Sequence, residues 1–208
     1  MEKYWTRFDK KDWSKIAGIG KAAAKLFYEK GYIETSIDNI ADSMKMTKGG
    51  IYYYFKSKNE ILYFVLDHYV DFFLENLEQE LKKIDDPFSK IQFIISRHIK
   101  FYNQNLYEGK VLLHEVHCLL PKYYRVIAKK EKKYLNMVAG VVSDYFFKKD
   151  ISKDELKVLT FCLFGMCNWI YAWYDSRGHV TPQRLSEIIH GIFMGGVRKF
   201  DEFKERVT

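Results

Sequence analysis

Proline and glycine are scarce in this chain: 3 and 12 of 208 residues. So few turn-formers leave little room for a β-rich fold with many reversals. Cysteine is scarcer still. Cys118, Cys162 and Cys167 are odd in number, and two of them share one apolar run, so no disulfide framework is expected. They read as reduced thiols, consistent with a cytoplasmic protein. The N-terminal MEKYWTRFDKKDW has no apolar core of the kind an export signal needs. No long membrane-type run is present either. The charge-free stretch from Val158 to Tyr174 is shorter than the ~20 residues of a span. It also contains Thr160 and Asn168 and stops at Asp175, so a buried helix is the expectation.

What is abundant is aromatic and helical. The chain carries 16 Tyr, 16 Phe and 4 Trp, with 48% apolar and 29% charged residues, a globular composition sufficient for one large domain or two small ones. The formal charge is +7. The first 60 residues hold 12 Lys/Arg against 8 Asp/Glu, and the other 148 hold 22 against 19, so positive density is more than twofold higher at the N-terminal end. That balance permits an anionic partner and proves none.

Apolar residues recur at helical spacing almost throughout, and about nine helices are expected in an all-α fold. The first runs from about Ser14 to Lys30, closed by Gly31. Ser36 caps a short helix from Ile37 to Met44, Lys45 and Met46 turn the chain, and Thr47 caps a third helix from Lys48 to about Phe55. Ser57 opens a long helix from Lys58 to about Ile84. Asp85-Asp86-Pro87 ends it. Further helices are expected from Pro87 to Gln104, Lys110 to Leu119, Pro121 to about Phe147, Ser152 to about Tyr174, and Thr181 to about Phe203.

Three short helices near a basic N-terminus, with a tight turn between the second and third, describe a helix-turn-helix. Ile37, Ile40 and Ala41 brace the third helix from behind. Lys48, Gly49, Gly50, Tyr52 and Tyr53 form its outward face, while Ile51, Tyr54 and Phe55 turn to the core. The segment TSIDNIADSMKMTKGGIYYYFKSKNEIL, starting at Thr35, resembles the DNA-binding domain of the TetR family of transcriptional regulators, and Ala22 to Tyr32 matches that domain's first helix. The resemblance implies an all-α homodimer that binds a palindromic double-stranded operator and leaves it when a small molecule enters the C-terminal domain. It assigns DNA contacts to Ser36, Thr47, Lys48, Gly49, Gly50, Tyr52, Tyr53 and Lys58. It divides the chain into a DNA-binding domain, 1–57, with an N-terminal arm, 1–13, and a ligand-binding and dimerisation domain, 58–208. Gly50 departs from the pattern, since the family often has Thr there. Without a side chain, readout at that step falls to Lys48, Tyr53 or DNA shape.

The C-terminal two thirds offers no catalytic or metal signature of that strength, so no enzyme, cofactor or metal is expected. His114 and His117 are three residues apart on one helix face, but zinc-protease spacings are absent. An elongated apolar pocket is expected from Phe93, Phe101, Tyr102, Tyr123, Tyr134 and Trp169, with Asn168, His114 and His117 beside it and Arg97, Lys100 and Arg125 at its mouth. The helix around Phe161 to Tyr174 is apolar all round, and the last helix carries a wide stripe interrupted by Gly191, Gly195 and Gly196. Together they read as a dimer seam containing Phe161, Gly165, Tyr171, Ile189, Ile192, Phe193 and Gly196.

The run from Asn168 through Trp169 to Tyr174, with the capped helix that follows, also resembles a TetR subgroup that answers to acyl-CoA and controls fatty-acid or related lipid catabolism. A repressor released by a lipid or acyl-CoA effector is the leading expectation. A drug- or aromatic-cation-responsive repressor of an efflux gene is the alternative, and would turn Glu75, Glu78 or Glu115 to the pocket. A CoA- or lipid-dependent enzyme is a third class, and it would need a nucleophile–base pair that the sequence does not supply.

Overall fold

Asp9 accepts the Asp12 N–H through its carboxylate at 3.1 Å and so opens the first helix earlier than the apolar pattern suggests. In this computed structural model, which describes residues 8–146 and 151–207 (backbone only at Lys10, Lys11 and 200–207), α1 runs Lys10–Lys30. Lys3 and Arg7 of the expected arm, and Phe147, lie outside the described residues. The arm is shorter than the 13 residues expected, because Lys10 to Trp13 already belong to the helix. All described elements are helical: α2 (Ile37–Ser43), α3 (Lys48–Tyr54), α4 (Lys58–Leu74), α5 (Leu77–Leu81), α6 (Pro87–Gln104), α7 (Leu106–Glu115), α8 (Pro121–Tyr145), α9 (Lys153–Asn168) and α10 (Pro182–Val207). Short 3-10 turns follow α7 (Val116–Cys118) and α9 (Trp169–Ala172). No described helix is long and apolar enough to cross a membrane.

The chain forms two compact units, one of residues up to 72 with 105–131, the other of 73–104 with the chain from 132 on. In the first, Ile16, Ile19, Ala23, Ala24 and Phe27 of α1 are fully buried, as are Ile40, Ile51 and Phe55. Each such isoleucine or phenylalanine contributes about 1.5–3 kcal/mol by leaving water, and each alanine less. Gly31, at φ +83°, closes α1 with its N–H on Phe27 C=O at 2.9 Å. The following turn is organised from a distance: Lys58 Nζ donates to the carbonyls of Tyr32, Ile33 and Thr35 at 2.7, 3.0 and 2.7 Å. Asp67, almost fully buried on α4, meets Lys130 Nζ of α8 at 2.6 Å, and Asp71 shares the same ammonium.

In the second unit, the buried faces of α6, α8, α9 and α10 pack together around Ile91, Ile95, Val138, Val142, Leu163, Ile189 and Phe193. The long helix expected from Lys58 to Ile84 is instead two. Asn76 takes a left-handed backbone at φ 55°. The Arg97 guanidinium accounts for the break: it donates to the helix-end carbonyls of Phe73 and Glu75 at 3.3 and 2.6 Å and pairs with Glu80 at 2.5 Å. A long-range side chain thus satisfies the end of α4, which local spacing cannot reveal. α7 also begins earlier than expected, and the helix opened by the Ser152–Glu155 capping box ends at Asn168 rather than near Tyr174.

Two glycines test the packing with opposite signs. A Cβ on Gly20 would lie 2.5 Å from Cε1 of the buried Phe64 ring, whereas one on Gly140 meets nothing within 4 Å. Gly20→Ala should cost about 1–3 kcal/mol of unfolding free energy, and Gly140→Ala should gain up to about 1 kcal/mol. Urea denaturation of the two variants reads both.

Candidate nucleic-acid interface

α2 and α3 are seven residues each, too short to stand alone, and their ends are closed by side chains. Ser36 caps α2 in a capping box: its hydroxyl accepts the Asn39 N–H at 3.0 Å, and Asn39 Oδ1 accepts the Ser36 N–H at 2.9 Å. Lys45, left-handed at φ 52°, makes the turn, and the Met46 N–H returns to Ala41 C=O at 2.9 Å. Thr47 Oγ1 then accepts the Gly50 N–H at 3.1 Å. Both cap hydroxyls keep a proton to donate, which suits a phosphate oxygen.

With Ile51 and Tyr54 buried, the front of α3 consists of Lys48, Gly49, Tyr52 and Tyr53. Tyr52 and Tyr53 are 44% and 57% exposed. Tyr53 packs edge-on against Tyr54, and the Tyr54 hydroxyl donates to Asp12 at 3.1 Å, which anchors the back of the helix to α1. Lys48 Nζ lies 2.8 Å from Asp38 of α2, and that carboxylate holds the ammonium above its ordinary pKa. Gly50 is half-buried. A Cβ there would meet Met46 Cε at 3.2 Å and Thr47 Oγ1 at 3.4 Å, so the missing side chain makes room for the methionine that fills the turn. Lys58, expected on phosphate, directs its ammonium to three carbonyls of the α1–α2 turn.

The residues expected around a ligand divide between the units. Tyr123, Arg125, His114 and His117 belong to the first. Tyr123 is buried and stacks on Tyr63 with centroids 4.3 Å apart, while Arg125, His114 and His117 are exposed. The other candidates belong to the second unit. Phe101 is buried beside Phe73, with the Arg97 guanidinium 4.6 Å over its ring, and Phe93 is half-buried on the core. Lys100 is exposed. Trp169 is exposed and packs edge-on against Tyr171 at 5.6 Å. Of the acids an aromatic-cation sensor would need, Glu75 is exposed, Glu78 pairs with Lys82, and Glu115 accepts the Tyr32 N–H.

The polar centre of the second unit is His98, which is buried. Its Nε2 lies 2.9 Å from Asn168 Oδ1 and its Nδ1 3.3 Å from the Tyr134 hydroxyl, and a neutral ring protonated at Nε2 donates to the first and accepts from the second. Tyr102 stacks on His98 and on Tyr171, each at 6.2 Å. The Tyr102 hydroxyl is buried and has no hydrogen-bond partner among the described residues. Sequence patterning placed Tyr102, Tyr134 and Asn168 together but did not single out His98, which Asn168 and Tyr134 hold from two helices.

The expected seam residues also divide. Phe161, Gly165, Ile192 and Gly196 are exposed; Tyr171 is half-buried; Ile189 and Phe193 are in the unit's own core. Val158, Trp173 and Ile188 add to the exposed apolar set.

Burial holds the His98 pKa down to about 4, against an ordinary 6.5. Between those values the unfolded chain binds more protons than the folded one, so stability falls as pH drops from 6.5 towards 4, by roughly 3 kcal/mol in all. His98→Gln should flatten that part of the profile, measured as urea midpoints from pH 7 to 4.

Comparison with known proteins agrees with the helix-turn-helix geometry. Residues 19–63 match "Bacterial regulatory proteins, tetR family", and residues 85–197 match "Tetracyclin repressor-like, C-terminal domain". The HTH-type transcriptional repressor KstR2 of Mycolicibacterium smegmatis is 23% identical, over 84% of this chain and 86% of its own. The fatty acid metabolism regulator protein of Bacillus subtilis is 26% identical, over 88% and 95%. The solved structure of AibR in complex with isovaleryl coenzyme A and operator DNA superimposes with a TM-score of 0.76 at 25% identity, covering 86% of this chain and 97% of that one. With both halves matched and α3 exposed on its front behind the Thr47 cap, the chain belongs to the TetR family of bacterial regulatory proteins.

Proposed function

We propose that this protein is a homodimeric, ligand-responsive repressor that binds a palindromic operator through α3 and is released by an acyl-CoA or related lipid effector. The observation that carries the DNA assignment is the front of α3. Two exposed tyrosines and a lysine project from a helix whose back is buried, and the N-caps of α2 and α3, Ser36 and Thr47, carry phosphate-competent hydroxyls. Lys48 and Tyr52 reach the major groove, Ser36 and Thr47 position the backbone, and Tyr53 reads beside the bare step at Gly50. A two-fold dimer sets its reading helices about 34–36 Å apart or somewhat more. The exposed row Val158, Phe161 and Ile192 supports α9 and α10 as the seam. A protein of this kind works in the cytoplasm, and the reading assigns it no catalytic step.

The effector class rests on likeness to a fatty acid metabolism regulator and to AibR with its bound acyl-CoA. The second unit supports it chemically. Among apolar rings, the unpartnered Tyr102 hydroxyl is a donor ready for a carbonyl oxygen. The ligand acts by binding one dimer geometry more tightly than the other, and only that difference in affinity moves the protein off DNA.

Lys48→Ala combined with Tyr52→Ala removes two contacts of about 1–3 kcal/mol each, so affinity for a palindrome selected from random DNA should fall by about 100-fold or more. Native mass spectrometry should show the dimer unchanged. Wild-type affinity in the double variant at physiological salt would refute the assignment. Long-chain acyl-CoA should dissociate the protein–DNA complex at about micromolar concentration, with free CoA inactive. Release by a cationic dye and not by acyl-CoA would overturn the effector class.

A further inference from the structure

The end of α7 holds a group of side chains that DNA reading does not use. The helix stops at Glu115, and the 3-10 turn Val116–Cys118 follows. In this turn the His117 imidazole folds onto the neighbouring Cys118. The Cys118 thiol lies 3.6 Å from Glu115 Oε2 and 3.5 Å from His117 Nε2. The ligand atoms of the three residues all fall within 4.8 Å of one another. Metal–sulfur bonds of about 2.3 Å and metal–nitrogen or metal–oxygen bonds of about 2.0–2.1 Å give a sulfur–nitrogen or sulfur–oxygen tetrahedral edge of about 3.5 Å. Two edges of the group already have that length.

The surroundings hold two of the three donors in place. Glu115 uses its other oxygen, Oε1, to accept the Tyr32 N–H at 3.3 Å, which fixes the carboxylate and leaves Oε2 for an ion. The backbone at Cys118 is fastened to α4, where Asn59 Nδ2 donates to Cys118 C=O at 2.8 Å and Asn59 Oδ1 accepts the Leu120 N–H at 3.0 Å. His117 is exposed, so its imidazole can swing to close the third edge. One face remains towards solvent for a fourth ligand, water or an exogenous donor.

We infer that Glu115 Oε2, His117 Nε2 and Cys118 Sγ form a binding site for one zinc-class divalent ion at the α7–α8 junction. Thiolate and imidazole together exclude magnesium and calcium, which take oxygen ligands, and suit zinc or cobalt. Because Glu115 also holds Tyr32 of the α1–α2 turn, an ion there bears on the reading unit itself. The site stands independently of the operator and effector assignments.

Co2+ titration of the reduced full-length protein tests it. One equivalent should produce the visible bands of a tetrahedral ion and a thiolate-to-cobalt charge-transfer band. Zn2+ should displace it stoichiometrically, and millimolar Mg2+ or Ca2+ should not. Cys118→Ser should abolish the charge-transfer band and weaken binding at least about 100-fold, and His117→Gln, at an exposed position, at least about 10-fold. Cys162→Ser should bind as wild type. A wild-type protein without the charge-transfer band, or a Cys118→Ser protein that retains it, overturns the site.

Discussion

A seven-residue helix cannot hold itself in water, and the whole reading unit follows from that constraint. α3 exists because Ile51 and Tyr54 are buried behind it and Thr47 closes its first turn. α2 is equally short and survives on Ile37, Ile40, Ala41 and its capping box. The turn before α2 has no regular structure of its own, and its carbonyls are gathered by Lys58 from the start of α4. An ammonium that satisfies three carbonyls is a tie across the fold before it is a surface charge. The outward tyrosines are displayed by this support, since every buried residue behind them restricts how α3 can tilt.

The second unit solves a different problem. α10 has two apolar rows offset by one residue. Leu185, Ile189, Phe193 and Val197 face the unit's own core, while Ile188 and Ile192 are exposed beside Gly191 and Gly195. The inner row is what α6 and α9 need, and the outer row has no role inside the unit. Polar groups inside are arranged with similar economy. Ser96, Ser186 and Gln92 bond one another where α6 meets α10, and His98 is held neutral between Asn168 and Tyr134.

Much of the fold was legible because its signals are local. Gly31, Ser36, Thr47, Ser152 and Pro182 mark helix ends within a residue or two of where they fall, and the alternation of Ile51, Tyr52, Tyr53 and Tyr54 distinguishes the back of α3 from its front. What was not legible depends on partners distant in the chain. The break between α4 and α5 needs Arg97, and the place of Lys58 needs the carbonyls of a turn more than twenty residues earlier. Gly50 looked like a missing base contact, but Met46 occupies the space. Helical spacing pairs His114 with His117, whereas the contacts among Glu115, His117 and Cys118 depend on side-chain rotamers that spacing does not show.

Asn59 shows how such distant contacts shape the unit's mechanics. From the first turn of α4 its one amide engages the Tyr32 hydroxyl, the Cys118 carbonyl and the Leu120 N–H. The turn behind the reading helices and the junction between α7 and α8 therefore meet on one side chain. Moving that junction against the turn stretches hydrogen bonds that all end on one amide, so Asn59 is the hinge pin of the unit.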